Sequence, residues 1–360
     1  MTKKPMSFEK ETAEAVALLK ALINIPRTSR NETEAADYLR HAMEQRGLKT
    51  YRKDNNLWTM SPDWDDNKPT LLINAHIDTV KPVAGWLTDP NCAIEENGKI
   101  TGLGSNDDGA SLVSLLAVFG LLTQHAQKYN LIYAASAEEE VSGKQGIENL
   151  LPDLPHIDLA LVGEPTGMQP AIAEKGLMVI DATAIGKSGH AARNEGINAI
   201  YKALEDIQWI CNNPLPKQSD LLGPVKMTTT MIQAGTQHNV IPDKCTFVID
   251  VRSNECYSNE EIFHHLEQHL GSELKARSFR LSSSGISIDN PLVKRILSLG
   301  KEPFGSPTLS DQALMRFPSL KMGPGQSSRS HTANEFIMID EIADAIATYY
   351  EVLDGLDIKS

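Results

Sequence analysis

The stretch Leu71-Leu72-Ile73-Asn74-Ala75-His76-Ile77-Asp78 decides how this chain is read. Its apolar opening suits a strand buried on both faces, as in a mainly parallel sheet, and it ends by delivering a histidine and an aspartate. Two runs of the same kind follow. Residues 131–135 (LIYAA) lead into Glu138-Glu139-Glu140, and Leu159–Val162 leads into Gly163-Glu164-Pro165. Between the first two lies an apolar, uncharged segment, 110–124, preceded by Asp107-Asp108-Gly109. Strand, helix and strand in that order follow βαβ logic. In open parallel sheets, ligand sites form just beyond the carboxyl ends of the strands. Three strand ends and one helix start therefore deliver histidine and carboxylates to one rim. Crowded carboxylates repel one another unless cations neutralise them, and oxygen plus imidazole ligands suit zinc.

Upstream of this stretch, Asn31-Glu32-Thr33-Glu34 offers a helix N-cap with a glutamate three residues on. Ala35, Ala36, Leu39 and Met43 then share one face, and Gly47 ends the run. Downstream, the character changes near Leu177. Met178–Ile185 (MVIDATAI), 227–233 (MTTTMIQ) and 246–252 (TFVIDVR) alternate apolar with polar residues, as half-exposed strands do. Helical patterns over 198–210 and 259–270 sit among them. The expected fold is α/β, a mainly parallel sheet flanked by helices, with a smaller α+β domain inserted. The larger domain comprises 1–174 and 285–360, and the insert 175–284. Asn290-Pro291-Leu292 opens a later helix with proline near its start, and 340–352 forms a final amphipathic one.

At 360 residues the chain exceeds a single core of the usual size. Its formal net charge of −13, with no offsetting Lys/Arg cluster, argues against nucleic acid as a partner. Cys92, Cys211, Cys245 and Cys256 include no CxxC pair, which argues against a disulfide scaffold or thiolate zinc site and fits a reducing cytoplasm. The opening MTKKPMSFEKE lacks the apolar core of a secretory signal. The apolar run 110–124 falls short of the roughly 18–20 residues of a membrane span, so a buried core helix is expected and no membrane partner.

Two turn-rich loops add histidines: Gly323-Pro324-Gly325 leads to Ser330-His331-Thr332, and Gly186-Lys187-Ser188-Gly189 to His190. Taken in order, His76-x-Asp78, Gly102-Leu103-Gly104-Ser105-Asn106-Asp107, Glu138-Glu139-Glu140 with Gly146, Gly163-Glu164-Pro165 and Gly323-Pro324-Gly325 with His331 form a pattern over about 60–340. That pattern resembles the zinc-dependent amidohydrolases of peptidase family M20, typified by acetylornithine deacetylase, succinyl-diaminopimelate desuccinylase and carboxypeptidase G2. The resemblance implies two zinc ions per subunit, with cobalt as a possible substitute. His76, Asp107 and Glu164 would hold one; Asp107, Glu140 and His331 the other, with Asp107 bridging. Glu139 would be the general base for a water whose pKa the metals lower from about 15.7 towards ~7. Asp78 would orient the His76 ring.

The insert resembles the family's lid and dimerisation domain, which implies a homodimer. His190 matches the histidine that stabilises the tetrahedral oxyanion, often from the partner subunit. Arg252, in Asp250-Val251-Arg252, would grip the substrate's α-carboxylate as a fork, with Asn239 helping; a pairing of Arg252 with Asp250 or Asp243 is the alternative. Where many relatives carry Arg and Met-Lys-Gly, this chain has Leu103 and Asp108-Gly109-Ala110. These departures point to the ornithine-type deacylases. The implied function is removal of an acetyl or succinyl group from an N-acyl-L-amino acid, such as N-acyl-ornithine or N-acyl-citrulline, in arginine biosynthesis. A metallo-dipeptidase or aminopeptidase, a succinyl-diaminopimelate desuccinylase, and an inactive metal-binding homologue are the alternatives. His265 and His269, one helical turn apart, read as a solvated helix face, because Glu267 is wrongly placed for HExxH.

Overall fold

The computed structural model describes residues 8–193 and 195–359. The opening residues 1–7, part of the stretch read as lacking a secretory signal, lie outside that description. The chain forms two compact units. One holds the chain up to Ile172, Ile286–Phe304 and the stretch from Ser310 on; the other holds Ala173–Gly285 and Gly305–Leu309.

In the first unit the three apolar runs are strands Thr70–His76, Asn130–Ser136 and Leu159–Val162, and every residue in them is buried. Thr70–His76 lies between the other two and runs parallel to both, while Ser319–Lys321 continues the parallel set beyond Leu159–Val162. The margins differ from the mainly parallel expectation. Tyr51–Lys53 and Asn56–Met60 form an antiparallel hairpin on one side, and Ala171–Glu174 meets Ser319–Lys321 antiparallel on the other. The sheet is therefore mixed, because short connections at its margins reverse the chain where no crossover helix intervenes.

The apolar segment is helix Ala110–Leu122, which packs on helices Glu9–Ile23 and Ile339–Leu353 and on the central strands. Among the described residues no helix is long and apolar enough to cross a membrane. Helix Thr33–Gln45 buries Ala35, Ala36, Leu39 and Met43, but its N-cap is Glu32, not Asn31. The Asn31 side chain instead donates to Thr28 Oγ1 at 3.4 Å, and Glu32 accepts from the N–H groups of Arg30 and Glu138. That glutamate is thus spent on joining two loops.

The second unit is a four-stranded antiparallel sheet in the order Lys226–Ala234, Lys244–Arg252, Met178–Ile185, Glu273–Ala276. Its alternating pattern turns Met178, Ile180, Phe247, Ile249 and Val251 towards helices Ala199–Asn212 and Asn259–His269. Asn198 caps the first helix through Ile200 N, and Ser258 with Glu261 makes a capping box on the second. Asn290 likewise caps Pro291–Ser298 in the first unit.

Candidate metal centre

Parallel register brings the strand ends level: His76 stands opposite Ser136, and Asn74 opposite Val162. The residues that follow must therefore meet. A turn beginning at Gly104 delivers Asp107 to the same place. Gly104 has φ +73°, and a Cβ there would lie 2.5 Å from both Arg27 and Thr79, so only glycine fits. At Gly323 a Cβ would approach Glu164 O to 2.5 Å, so the loop leading to His331 can lie against the loop carrying Glu164. Glu138, Ser142 and His331 adopt left-handed φ values of +54°, +44° and +57° around this rim, a concentration of backbone strain typical of functional sites.

The donor atoms converge. His76 Nε2 lies 3.2 Å from Asp107 Oδ1 and 3.8 Å from Glu139 Oε2. His331 Nε2 lies 2.9 Å from Glu140 Oε2 and 3.6 Å from Asp107 Oδ2. Ligand atoms of His76, Asp107 and Glu140 all fall within 4.8 Å of one another, as do those of His76, Glu139 and Glu164. Asp107 touches both histidines, and Glu139 shares its group with His76 and Glu164.

The Asp78 geometry differs from the expected role. The 3.0 Å contact to His76 Nδ1 is made by the Asp78 backbone carbonyl, with a carboxylate oxygen at 3.5 Å. Nδ1–H donating there turns Nε2 towards the acids. The Asp78 carboxylate accepts from Ser29 Oγ at 2.6 Å and from the N–H groups of Glu139 at 3.0 Å and Glu140 at 3.2 Å. It therefore sets the turn that carries both glutamates.

Electrostatics supply the test of metal fit. Burial, with the charges of Glu164, Asp311 and Glu140, pushes Glu139 well above the ordinary carboxylate range despite His76. Burial also pushes Glu164 well up, helped by Asp107 and Asp108 and opposed by Lys321. Burial draws the His76 ring down, but Asp107 and Asp78 outweigh it and hold that ring well above its usual value. The bond to Glu140 raises His331 to about 8. Four carboxylates outnumber the two imidazoles here, and divalent cations would reverse the penalty of burying that excess acid. Two imidazoles among carboxylate oxygens are a donor set that fits them.

Three supports were not read from the sequence. Glu335 is buried and accepts from the N–H groups of Gly104, Asn106 and Asp107 at 3.1, 2.8 and 2.9 Å, gripping the turn behind Asp107. Buried Arg27 donates to the carbonyls of Ile77 and Gly104. Asp311 lies behind the strands, against Asn74 and Ser136. Glu335 follows His331 by four residues, a spacing that could have marked it; Arg27 and Asp311 stand alone in their loops.

A family model for peptidase family M20/M25/M40 matches residues 72–355. The chain belongs to that family. It is accordingly a metal-dependent amide hydrolase. Among related proteins, a succinyl-diaminopimelate desuccinylase of Corynebacterium glutamicum is 26% identical over 362 residues, covering 94% of this chain and 95% of its own. Among solved structures, aminopeptidase PepT of Bacillus cereus superposes with a TM-score of 0.77 at 18% identity, covering 96% of this chain and 98% of its own. The YXEP protein of Bacillus subtilis, described as a dinuclear metal-binding peptidase, gives 0.74 at 17%, covering 97% and 100%. At those identities the structures speak for the fold.

The remaining expected residues lie in the second unit. Gly189–His190 pairs antiparallel with Val240–Ile241, so His190 sits beside Asn239, whose carbonyl accepts from Ala191 N at 3.0 Å. His190 is exposed, and its Nδ1 accepts from Ala192 N at 3.1 Å, which leaves the ring proton on Nε2 as an outward donor. The Arg252 fork is held by Asp250 at 2.9 and 3.3 Å, the pairing weighed as the alternative.

Proposed function

We propose that this M20 hydrolase removes the acyl group from a small N-acyl-L-amino acid, using two zinc ions. The observation that carries the reading is Glu139 itself. It stands inside the donor cluster, 3.8 Å from His76 Nε2, on a turn whose next residue is engaged by His331. Adjacent glutamates thereby divide two tasks. Glu140 joins His331 and Asp107 as a ligand, while His76, Asp107 and Glu164 hold the other ion. Bound divalent cations supply the positive charge that acidifies a water and polarises the amide carbonyl. Glu139 takes the water's proton and passes it to the leaving nitrogen. Its high proton affinity in a buried, acid-rich setting suits both halves of that transfer. His190, with Nε2–H free, donates to the developing oxyanion. Arg252 and Asn239 receive the substrate's α-carboxylate, Arg252 exchanging its hold on Asp250 for the ligand.

The amino acid in this reading is ornithine or citrulline, within arginine biosynthesis, in a cytoplasmic homodimer. Support comes from the segments GLGSNDDG and GPGQSSRSHT and their likeness to ornithine-type deacylases. The names of several relatives favour succinyl as the acyl group and raise diaminopimelate as a competing amine. The edge strand Lys226–Ala234, with Met231 and Ile232 57% and 50% exposed, is the surface for dimerisation.

The deciding experiment follows amine release from N-acetyl and N-succinyl forms of ornithine and citrulline, and from N-succinyl-diaminopimelate. It uses chelator-stripped protein with and without zinc. Zinc-dependent turnover of an ornithine or citrulline derivative is expected. Turnover confined to the diaminopimelate derivative, or to a parallel dipeptide panel, overturns the assigned substrate.

A further inference from the structure

Behind the metal rim lies a second buried polar group that is no part of the donor cluster. Asp311 opens the short helical turn Asp311–Leu314 and is 4% exposed. Its Oδ2 accepts from Asn74 Nδ2 at 2.9 Å and from Ser136 Oγ at 2.5 Å. Both donors are wholly buried, and both belong to strands that end in the site. Asn74 precedes His76 by two residues, and Ser136 precedes Glu139 by three. The amide and hydroxyl also lie 3.4 Å apart, closing a triangle across the two strands.

Burying a carboxylate on neutral donors is costly, and apolar residues of similar volume would pack there without that cost. Burial lifts the Asp311 carboxyl to about 6, against the pull of Ser136 and Asn74, so near neutral pH it stays an acceptor for both. Its local geometric effect is specific. One oxygen receives a bond from each strand just before the ligand and the base depart. That contact fixes the residues on which the His76-to-Glu139 spacing depends.

We propose that Asp311 is a positioning residue of the hydrolytic reaction, holding the ends of the His76 and Glu139 strands in catalytic alignment through Asn74 and Ser136. It acts through these neighbours and touches no reacting atom. The proposal rests on the hydrolytic reading of the centre, but not on which amide is cleaved. A displacement of about 1 Å between catalytic groups is enough to cost on the order of 100-fold in rate.

The test compares metal-loaded wild type, Asp311→Asn, Asp311→Ala and Ser136→Ala. The substrate is whichever N-acyl amino acid or dipeptide the wild type cleaves fastest. Bound metal, Tm, kcat and KM are read together. Asp311→Ala and Ser136→Ala are expected to lower kcat by about 30-fold, with KM within about 3-fold and metal content unchanged. Asp311→Asn keeps an acceptor oxygen for both donors, and its kcat is expected within about 3-fold of wild type. The proposal is overturned if Asp311→Asn falls as far as Asp311→Ala, or if Ser136→Ala retains wild-type kcat. Should Asp311→Ala fail to fold, Ser136→Ala must still lose kcat while Asp311→Asn keeps it. A wild type that cleaves dipeptides but no acyl amino acid ends the substrate reading and leaves this test intact.

Discussion

The two units handle acidic side chains in opposite ways. On the sheet of the second unit, Asp181 is held by Arg277 at 2.9 and 2.8 Å, and Asp250 by Arg252 at 2.9 and 3.3 Å. Each acid has its own arginine fork. At the strand ends of the first unit, Asp107, Glu139, Glu140 and Glu164 gather around two histidines instead. Burial there raises the proton affinity of Glu139 and Glu164, whereas the fork lowers that of Asp181. A fold that crowds acids without arginine forks leaves their neutralisation to ions from outside. The contrast separates acids that shape a surface from acids that form a site.

Removing Asp107 is the harshest way to break that contrast, because its two carboxylate oxygens face both histidines. Asp107→Ala is expected to lose bound metal and to lower kcat/KM by more than about 10⁴-fold, read by metal analysis and amine release. If two ions remain bound, Asp107 does not bridge them. Glu139→Gln comes next. Its kcat is expected to fall between about 10² and 10⁴-fold with both metals retained, because a carboxamide cannot accept the proton. Near-normal turnover would strip Glu139 of its role as base.

How much of this was legible beforehand depends on the reach of each residue's signal. Most of the rim could be read because its residues follow a strand end or precede a helix, where a polar residue interrupts an apolar run; His331 sits in a loop and was read from the family pattern. His76 after LLINA and Glu164 after LALVG stand out for that reason. The helices of the second unit were legible as local periodic patterns, and their caps at Asn198 and Ser258 are local as well. Glu32 was missed as the N-cap because its side chain makes no capping bond and is spent instead on Arg30 N and on Glu138 N, 106 residues away. Arg27 and Glu335 act across comparable separations on backbone carbonyls and amides that carry no side-chain signature, and Asp311 acts on two side chains far from it in sequence. The antiparallel margins of the sheet escaped for a related reason. Tyr51–Lys53 and Ala171–Glu174 are too short to show a period, and pairing alone sets their direction.

In the proposed mechanism the second unit makes a smaller and sharper contribution. His190→Ala is expected to lower kcat about 100-fold while KM and metal content hold, the loss typical of one oxyanion donor. His190→Asn retains an N–H donor and should recover part of it. An unchanged kcat in His190→Ala would detach the second unit from the chemistry. Arg252→Met tests whether that fork serves substrate or only Asp250. A rise of about 10-fold in KM at constant kcat marks a substrate contact, and unchanged kinetics mark a structural pair.

Arg277→Met should have the smallest effect, and it sharpens the comparison from the other side. The Arg277 fork lowers the Asp181 pKa chiefly through its hydrogen bonds, against an opposing effect of burial, and further through its charge. A carboxyl whose folded-state pKa is depressed stabilises the fold above its unfolded pKa, and that stability is lost as pH falls through the lowered value. The pair stands largely in water, where such contacts contribute little. Arg277→Met is therefore expected to leave turnover unchanged at every pH. Its small loss of Tm should appear near neutrality and vanish in acid, once Asp181 is protonated in both proteins. A change in catalytic rate would mean that this arginine does more than neutralise its neighbour, and the division between surface acids and site acids would fail at Asp181.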